Sequence, residues 1–152
     1  MKDLYNYIFE KLNVNNIKRQ YSCCPKTRDE LKKILKERLK ENKNADLNDI
    51  DVSKITDMSY LFFNLDPHSI DISEWDVSNV TTMRAMFWGC QNFNCDLSKW
   101  DVSNVTNMIN MFYDCKEFNS DLSNWNVSKV TDMGVMFYGC RTLKNKPSWY
   151  KE

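Results

Sequence analysis

The residues of this chain that could carry chemistry are a single histidine, six cysteines and a recurring set of aspartates and serines. An enzyme needs a localised, asymmetric group of such side chains. Here most of them return at a fixed interval of 25 residues instead. His68 stands at the repeat position that Phe93 and Phe118 fill, so a packing role beside a cap, or a surface place, is expected of it. Asp76 and Asp101, like Ser78 and Ser103, could be mistaken for acid–base pairs. Their recurrence fits Asx and hydroxyl bonds to backbone better, because every unit needs the same turn. Cys90, Cys115 and Cys140 share one position on an apolar face, where a thiol behaves as a small hydrophobe. Paired Cys-x-x-Cys spacing and supporting histidines are missing, so no metal site is expected. Cys95 and the adjacent Cys23 and Cys24 show no clear role. Gly89, Gly134 and Gly139 are scattered and make no phosphate loop. Asn79-Val80-Thr81 and Asn104-Val105-Thr106 match glycosylation acceptors, but the repeat alone generates them. The expectation is a protein without catalytic activity or cofactor.

The elements that must position these residues follow from the repeat itself. Trp75, Trp100 and Trp125 are spaced by 25, and Ile50 extends the series backwards. The run from Asp96 to Thr106 mirrors those from Asp71 to Thr81 and from Asp121 to Thr131, with a partial copy from Asp46 through Leu65. About four units therefore fill residues 46–149 without an insertion. Within a unit, Trp100 and Val102 lie two apart, which predicts a brief strand over residues 97–102. Met108, Met111, Phe112 and Cys115 fall at i, i+3, i+4 and i+7, which predicts a short helix with those four on one face. Thr56, Thr81, Thr106 and Thr131 would be its N-caps. The predicted fold is an α/β solenoid of about four 25-residue strand–helix coils, similar to leucine-rich repeats, with an N-terminal α-helical cap. Residues 1–44 would form the cap, and 45–152 the repeats with a closing segment at Pro147 and Trp149, in one cooperative domain.

In the cap, Thr27-Arg28-Asp29-Glu30 reads as a capping box, followed by an apolar stripe of Leu31, Ile34, Leu35 and Leu39. An earlier helix is expected over residues 2–12. Charge is divided unevenly: residues 1–44 hold twelve Lys or Arg against six Asp or Glu, and the rest nine against fifteen. A basic front and an acidic body can orient a partner. No signal peptide or membrane span is visible, which points to the cytoplasm.

The unit D-L-S-x-W-D-V-S-N-V-T-x-M-x-x-M-F-x-x-C-x-x-F-N resembles the BspA-type leucine-rich repeat, a 25-residue unit of bacterial surface proteins and Mycoplasma-type lipoproteins. The resemblance covers residues 46–149, and residues 25–51 resemble the segment that often precedes such repeats. It implies an arc with short parallel strands on one side, short helices on the other, and a role in adhesion or protein binding.

One repeat position points to a partner. Phe63, Trp88, Tyr113 and Tyr138 each follow a buried phenylalanine, and on an ideal helix Tyr113 would lie about 150° from the buried face. Outward rings in four successive units would make a contact stripe; rings packed between units are the alternative. Glu74, Lys99 and Asn124 vary in charge between otherwise identical units, which fits a partner-facing or a merely solvated position. The function expected is a non-catalytic protein-binding module. Its partner would be another protein or a nucleoprotein complex, with no membrane involved. A specific form would be a small intracellular inhibitor, such as a phage-encoded antagonist of a host defence complex in the manner of an anti-CRISPR protein. Two alternatives rank behind it: surface adhesion, and nucleic-acid contact through Lys32, Lys33, Lys36, Arg38 and Lys40.

Overall fold

The computed structural model describes residues 20–151. The helix expected over residues 2–12 lies outside them. Among the described residues there is one helix, α1 (Arg28–Glu41). Its start is set by Thr27, whose hydroxyl accepts the Glu30 N–H at 3.2 Å, while the Glu30 carboxylate accepts the Lys26 N–H at 2.8 Å. Asp29 and Glu30 in the first turn and Arg38 and Lys40 in the last complement the helix dipole. Leu31, Leu35 and Leu39 are fully buried against the first repeat unit, with Ile34 partly so. Three cations secure this seat. Arg28 reaches Asp57 at 3.4 Å, Lys32 donates to the Tyr60 carbonyl, and Arg38 pairs with Asp49.

The repeats do stack at 25 residues, but not as strand–helix coils. Among the described residues the only pairing of strand type is five isolated parallel bridges, three of them running Asp57 to Thr82 to Asn107 to Asp132. The α/β architecture, and the leucine-rich-repeat solenoid description that goes with it, are therefore overturned. The physical reason lies in where backbone amides point. The predicted strand over residues 97–102 is instead part of two tight turns, Trp100 N–H to Leu97 O and Val105 N–H to Val102 O.

The predicted helix after Thr106 is replaced by an alternation. The amides of Met108, Asn110, Phe112 and Asp114 donate to carbonyls of the next unit, on Asp132, Gly134, Met136 and Tyr138, at 2.7–3.1 Å. The intervening amides of Met111, Tyr113 and Cys115 close turns onto the residue three back. Residues 83–89 repeat this, as do 58–62. Such alternation needs left-handed backbone, and it recurs: φ is 56° at Tyr60, 51° at Ala85, 57° at Asn110 and 49° at Val135. A second left-handed row holds Asn64, Gly89, Asp114 and Gly139. A residue at positive φ ends an α-helix, so none can propagate here. Nor does Thr106 cap one: its N–H and hydroxyl both donate to the Thr81 carbonyl of the preceding unit, at 2.8 and 3.1 Å.

Side chains follow the backbone register and build ladders. Phe62, Phe87, Phe112 and Phe137 stack with centroids 5.1–5.7 Å apart. The buried indoles of Trp75, Trp100 and Trp125 donate to the carbonyls of Leu47, Ile72 and Leu97 at 2.9–3.1 Å, so each large ring keeps its one polar atom satisfied. At the far end Tyr150 keeps the backbone register by donating to Pro147 O, but Trp149 fills the indole place. Its ring stacks on Trp125 at 6.3 Å and donates to Leu122 O.

The two left-handed glycines separate backbone strain from crowding. A Cβ at Gly89 (φ 75°) would meet nothing within 4 Å, whereas one at Gly139 (φ 79°) would lie 3.0 Å from the Asp114 Cα. Gly89→Ala should cost about 1–2 kcal/mol through conformation alone. Gly139→Ala should cost about 1–3 kcal/mol more, because backbone must yield. Urea unfolding midpoints of the two variants check this; equal losses would show that the crowding is relieved without cost.

Candidate functional site

The residues with apparent chemistry are placed by packing. Asp71, Asp76, Asp96, Asp101 and Asp121 each accept the N–H of a serine two residues on, at 2.9–3.1 Å. Bonds from the Ser98, Ser103 and Ser123 groups hold the carboxyls of Asp96, Asp101 and Asp121 below the ordinary value. A carboxylate so occupied closes a turn. His68 is partly exposed, with Nε2 3.4 Å from the Asp66 carboxylate, and its N–H donates to the Lys43 carbonyl. No group of three or more His, Cys, Asp or Glu gathers as a metal set among the described residues.

All six cysteines are free thiols. Those of Cys90, Cys115 and Cys140 form an inner ladder, each donating its S–H to a phenylalanine carbonyl one unit back, on Phe62, Phe87 and Phe112 at 3.0–3.5 Å. Burial pushes the Cys90 and Cys140 thiols up to about 12 and Cys115 upward as well. Cys95 is buried at a unit junction and is pushed up to about 11. Thiols held protonated are poor nucleophiles and poor metal ligands.

The outer face is different. Phe63, Trp88 and Tyr113 are half-buried, while Tyr138 is 62% exposed. The four rings form a continuous surface row. Phe63 to Trp88 is 5.7 Å, Trp88 to Tyr113 is 5.7 Å edge-on, and Tyr113 to Tyr138 is 4.9 Å stacked. Each ring is wedged by its neighbours along the row, and the exposed parts line up. The helix assumed in projecting them does not exist; the left-handed residue that opens each turn, such as Asn110 before Tyr113, places them instead. Tyr60 extends the row and was not evident from the sequence, because its repeat equivalents Ala85, Asn110 and Val135 are not aromatic. Its ring lies 6.0 Å from Phe63 and 6.3 Å from Trp88, under the Arg84 guanidinium at 5.9 Å. Beside the row is a depression lined by Phe63, Trp88, Asn64, Asp66, Gln91 and Asn92, polar groups next to apolar rings.

The other candidate positions are not brought to this row. Glu74, Lys99 and Asn124 are exposed along the opposite half of the unit, and the Lys99 ammonium lies 3.8 Å from the Glu74 carboxylate. Part of their charge variation thus serves an ion pair between units, one open to water and worth little. The basic set on α1 divides. Lys32 and Arg38 are spent on the seat of the helix, and burial lowers Lys32 from its ordinary value. Lys33, Lys36 and Lys40 remain exposed. No described helix is long and apolar enough to cross a membrane.

The thiol ladder gives a pH dependence with a definite sign. Unfolded thiols ionise near their ordinary value of 9.0, while Cys90 and Cys140 in the fold keep their protons up to about 12. Between those values the folded chain holds more protons, so stability falls as pH rises. Under reducing conditions the urea midpoint should drop from about pH 9 upward. A Cys90→Ala/Cys140→Ala variant, weaker at neutral pH, should show a shallower decline relative to its own neutral value. An identical slope would mean that the thiols do not carry the effect.

Among curated proteins and among solved structures nothing matches this chain. A family model does, over residues 29–150, from within α1 through the last stacked ring. The chain belongs to that family, described as Mycoplasma protein of unknown function, DUF285.

Proposed function

We propose that the chain is a non-catalytic module that binds another protein through the aromatic row of Phe63, Trp88, Tyr113 and Tyr138. The observation that carries this reading is the row itself: four rings from four successive units, partly exposed and in contact end to end. Aromatic rings offer large contact area with few rotatable bonds, and those wedged by neighbours have lost that freedom before a partner arrives. The polar groups of Asn64, Asp66, Gln91 and Asn92 at its margin suit the polar rim of a binding patch. The motif of the unit and its 25-residue period support placing the repeats with the BspA type, whose members serve adhesion or protein binding. Six free thiols support a reducing, cytoplasmic setting. The withdrawal of Lys32 and Arg38 into structural contacts weighs against nucleic acid as the partner.

Affinity capture from native lysate with mass spectrometry, run beside a Trp88→Ala/Tyr113→Ala variant, tests the reading. The intact chain should retain a protein that the variant loses, with affinity reduced about tenfold or more. A captured protein that the folded variant holds equally well would rule out the row as its binding surface.

A further inference from the structure

The unit of residues 121–145 follows the backbone path of its predecessors but leaves one row of amides without acceptors. In the unit before it, Met108, Asn110, Phe112 and Asp114 donate to the carbonyls of Asp132, Gly134, Met136 and Tyr138. The equivalent amides on Met133, Val135, Phe137 and Gly139 have no acceptor among the described residues. The backbone remains set for pairing, since Val135 and Gly139 hold φ of 49° and 79° as Asn110 and Asp114 hold 57°. Two apolar side chains along this edge are open to solvent, Val135 at 50% and Tyr138 at 62%, while Met133 is half-buried and Phe137 is buried. The residues that follow cover the side chain of one edge residue: Trp149 stacks on Trp125 and lies 6.4 Å from the Phe137 ring, and Tyr150 stands edge-on against that ring.

We propose that this edge docks a polypeptide segment of a partner protein, in the turn-rich backbone path that residues 107–114 follow inside the stack. The segment supplies main-chain carbonyls at alternate residues to the amides of Met133, Val135, Phe137 and Gly139, and an apolar or aromatic side chain against Tyr138. The occupant follows from polarity. Because alternate amides all point the same way, the row from Met133 to Gly139 offers donors only, with the Thr131 carbonyl the acceptor at its margin, and a two-fold related copy would set these donors against donors. A head-to-tail copy would need the complementary carbonyl row of the first unit. There α1 already lies, from Arg28 at Asp57 past Lys32 at Tyr60, with Lys43 beyond its end at the Leu65 carbonyl. The donors also form a line matched by carbonyls two residues apart, as within the stack, which suits a polypeptide better than a single small anion. This surface meets the aromatic row only at Tyr138, its last ring, and does not need Phe63 or Trp88.

The probe is a capped synthetic peptide with the sequence of residues 107–114, whose carbonyls perform this task inside the stack. It is titrated into the full-length chain, labelled for amide detection by NMR. The expected result is a saturable shift at Met133, Val135, Phe137 and Gly139, with hydrogen exchange there slowed at least about tenfold. A peptide with esters after the second and third accepting carbonyls should bind about tenfold more weakly, since an ester carbonyl is the poorer acceptor. A Phe63→Ala/Trp88→Ala variant, which leaves Tyr113 stacked on Tyr138, should bind the peptide as the parent does, so loss of the row and loss of the edge read out separately. Three results overturn the proposal. One is no response at millimolar peptide. Another is protection of these four amides in the chain alone at every concentration, which would give the edge to residues 1–19. The last is protection that grows with protein concentration, which would give it to a second copy.

Discussion

Every structural feature of the repeats depends on one constraint, the destination of the backbone amides. A buried peptide N–H must find an acceptor. In residues 108–115 consecutive amides alternate between the next unit and a turn of their own unit. That alternation ties each unit to its neighbour at every second residue, and so fixes the register at 25. With register fixed, identical side chains come to lie above one another. The Phe62, Phe87, Phe112 and Phe137 stack, the indole-to-carbonyl series and the S–H-to-carbonyl series are then consequences of a single backbone path. One inserted residue would displace all three ladders together.

The same constraint separates structural residues from functional ones. Asp101 with Ser103 has the composition of an acid–base pair, but its carboxylate is used by the turn it closes. Cys115 has the composition of a nucleophile, but it lies where the stack needs a small apolar group. Recurrence at 25 residues therefore argues against a localised chemical role whenever the recurring side chain points inward. It does not argue against binding, because an outward side chain repeated at one position becomes a surface. The row from Phe63 to Tyr138 is repeated in place and varied in identity, which packing alone does not require of exposed rings.

Much of this was legible in the sequence and some was not. The buried set of Met108, Met111, Phe112 and Cys115 was legible, yet the helix inferred from it does not form. Apolar spacing reports which residues face the core, and a run of tight turns with left-handed residues can yield the spacing of a short helix. A second signal was present in Asn64, Gly89, Asp114 and Gly139, residue types that tolerate positive φ, recurring at 25. The other left-handed row carries no such mark, because Tyr60, Ala85 and Val135 disfavour that conformation and are held in it by the stack. Tyr60 carries no repeat signal either: it belongs to the aromatic row without an aromatic at its repeat equivalents. The helix α1 was more legible, since Thr27, Glu30 and the leucine stripe are local signals that tertiary contacts did not override.

The uneven charge of the chain also gains a structural meaning. Although the row of Thr81, Thr106 and Thr131 donates backward, the alternate amides of residues 58–62, 83–89 and 108–114 all point forward, so that part of the stack ends in carbonyls at one end and in N–H groups at the other. The carbonyl end carries partial negative charge, and the chain places α1 there with cations aimed at it. The ammonium groups of Lys32 and Lys43 reach the carbonyls of Tyr60 and Leu65, which lie beside the row's own carbonyls on Asp57, Ser59, Leu61 and Phe63, and Arg28 and Arg38 reach the Asp57 and Asp49 carboxylates. Part of the basic surplus in residues 1–44 thus answers the polarity of the repeats and is not free to attract a polyanion. The N–H end has the opposite need. The carbonyls that complete it inside the stack come from a backbone of tight turns with left-handed residues, so this end selects for that conformation first. Selection for sequence falls to the side chain that meets Tyr138.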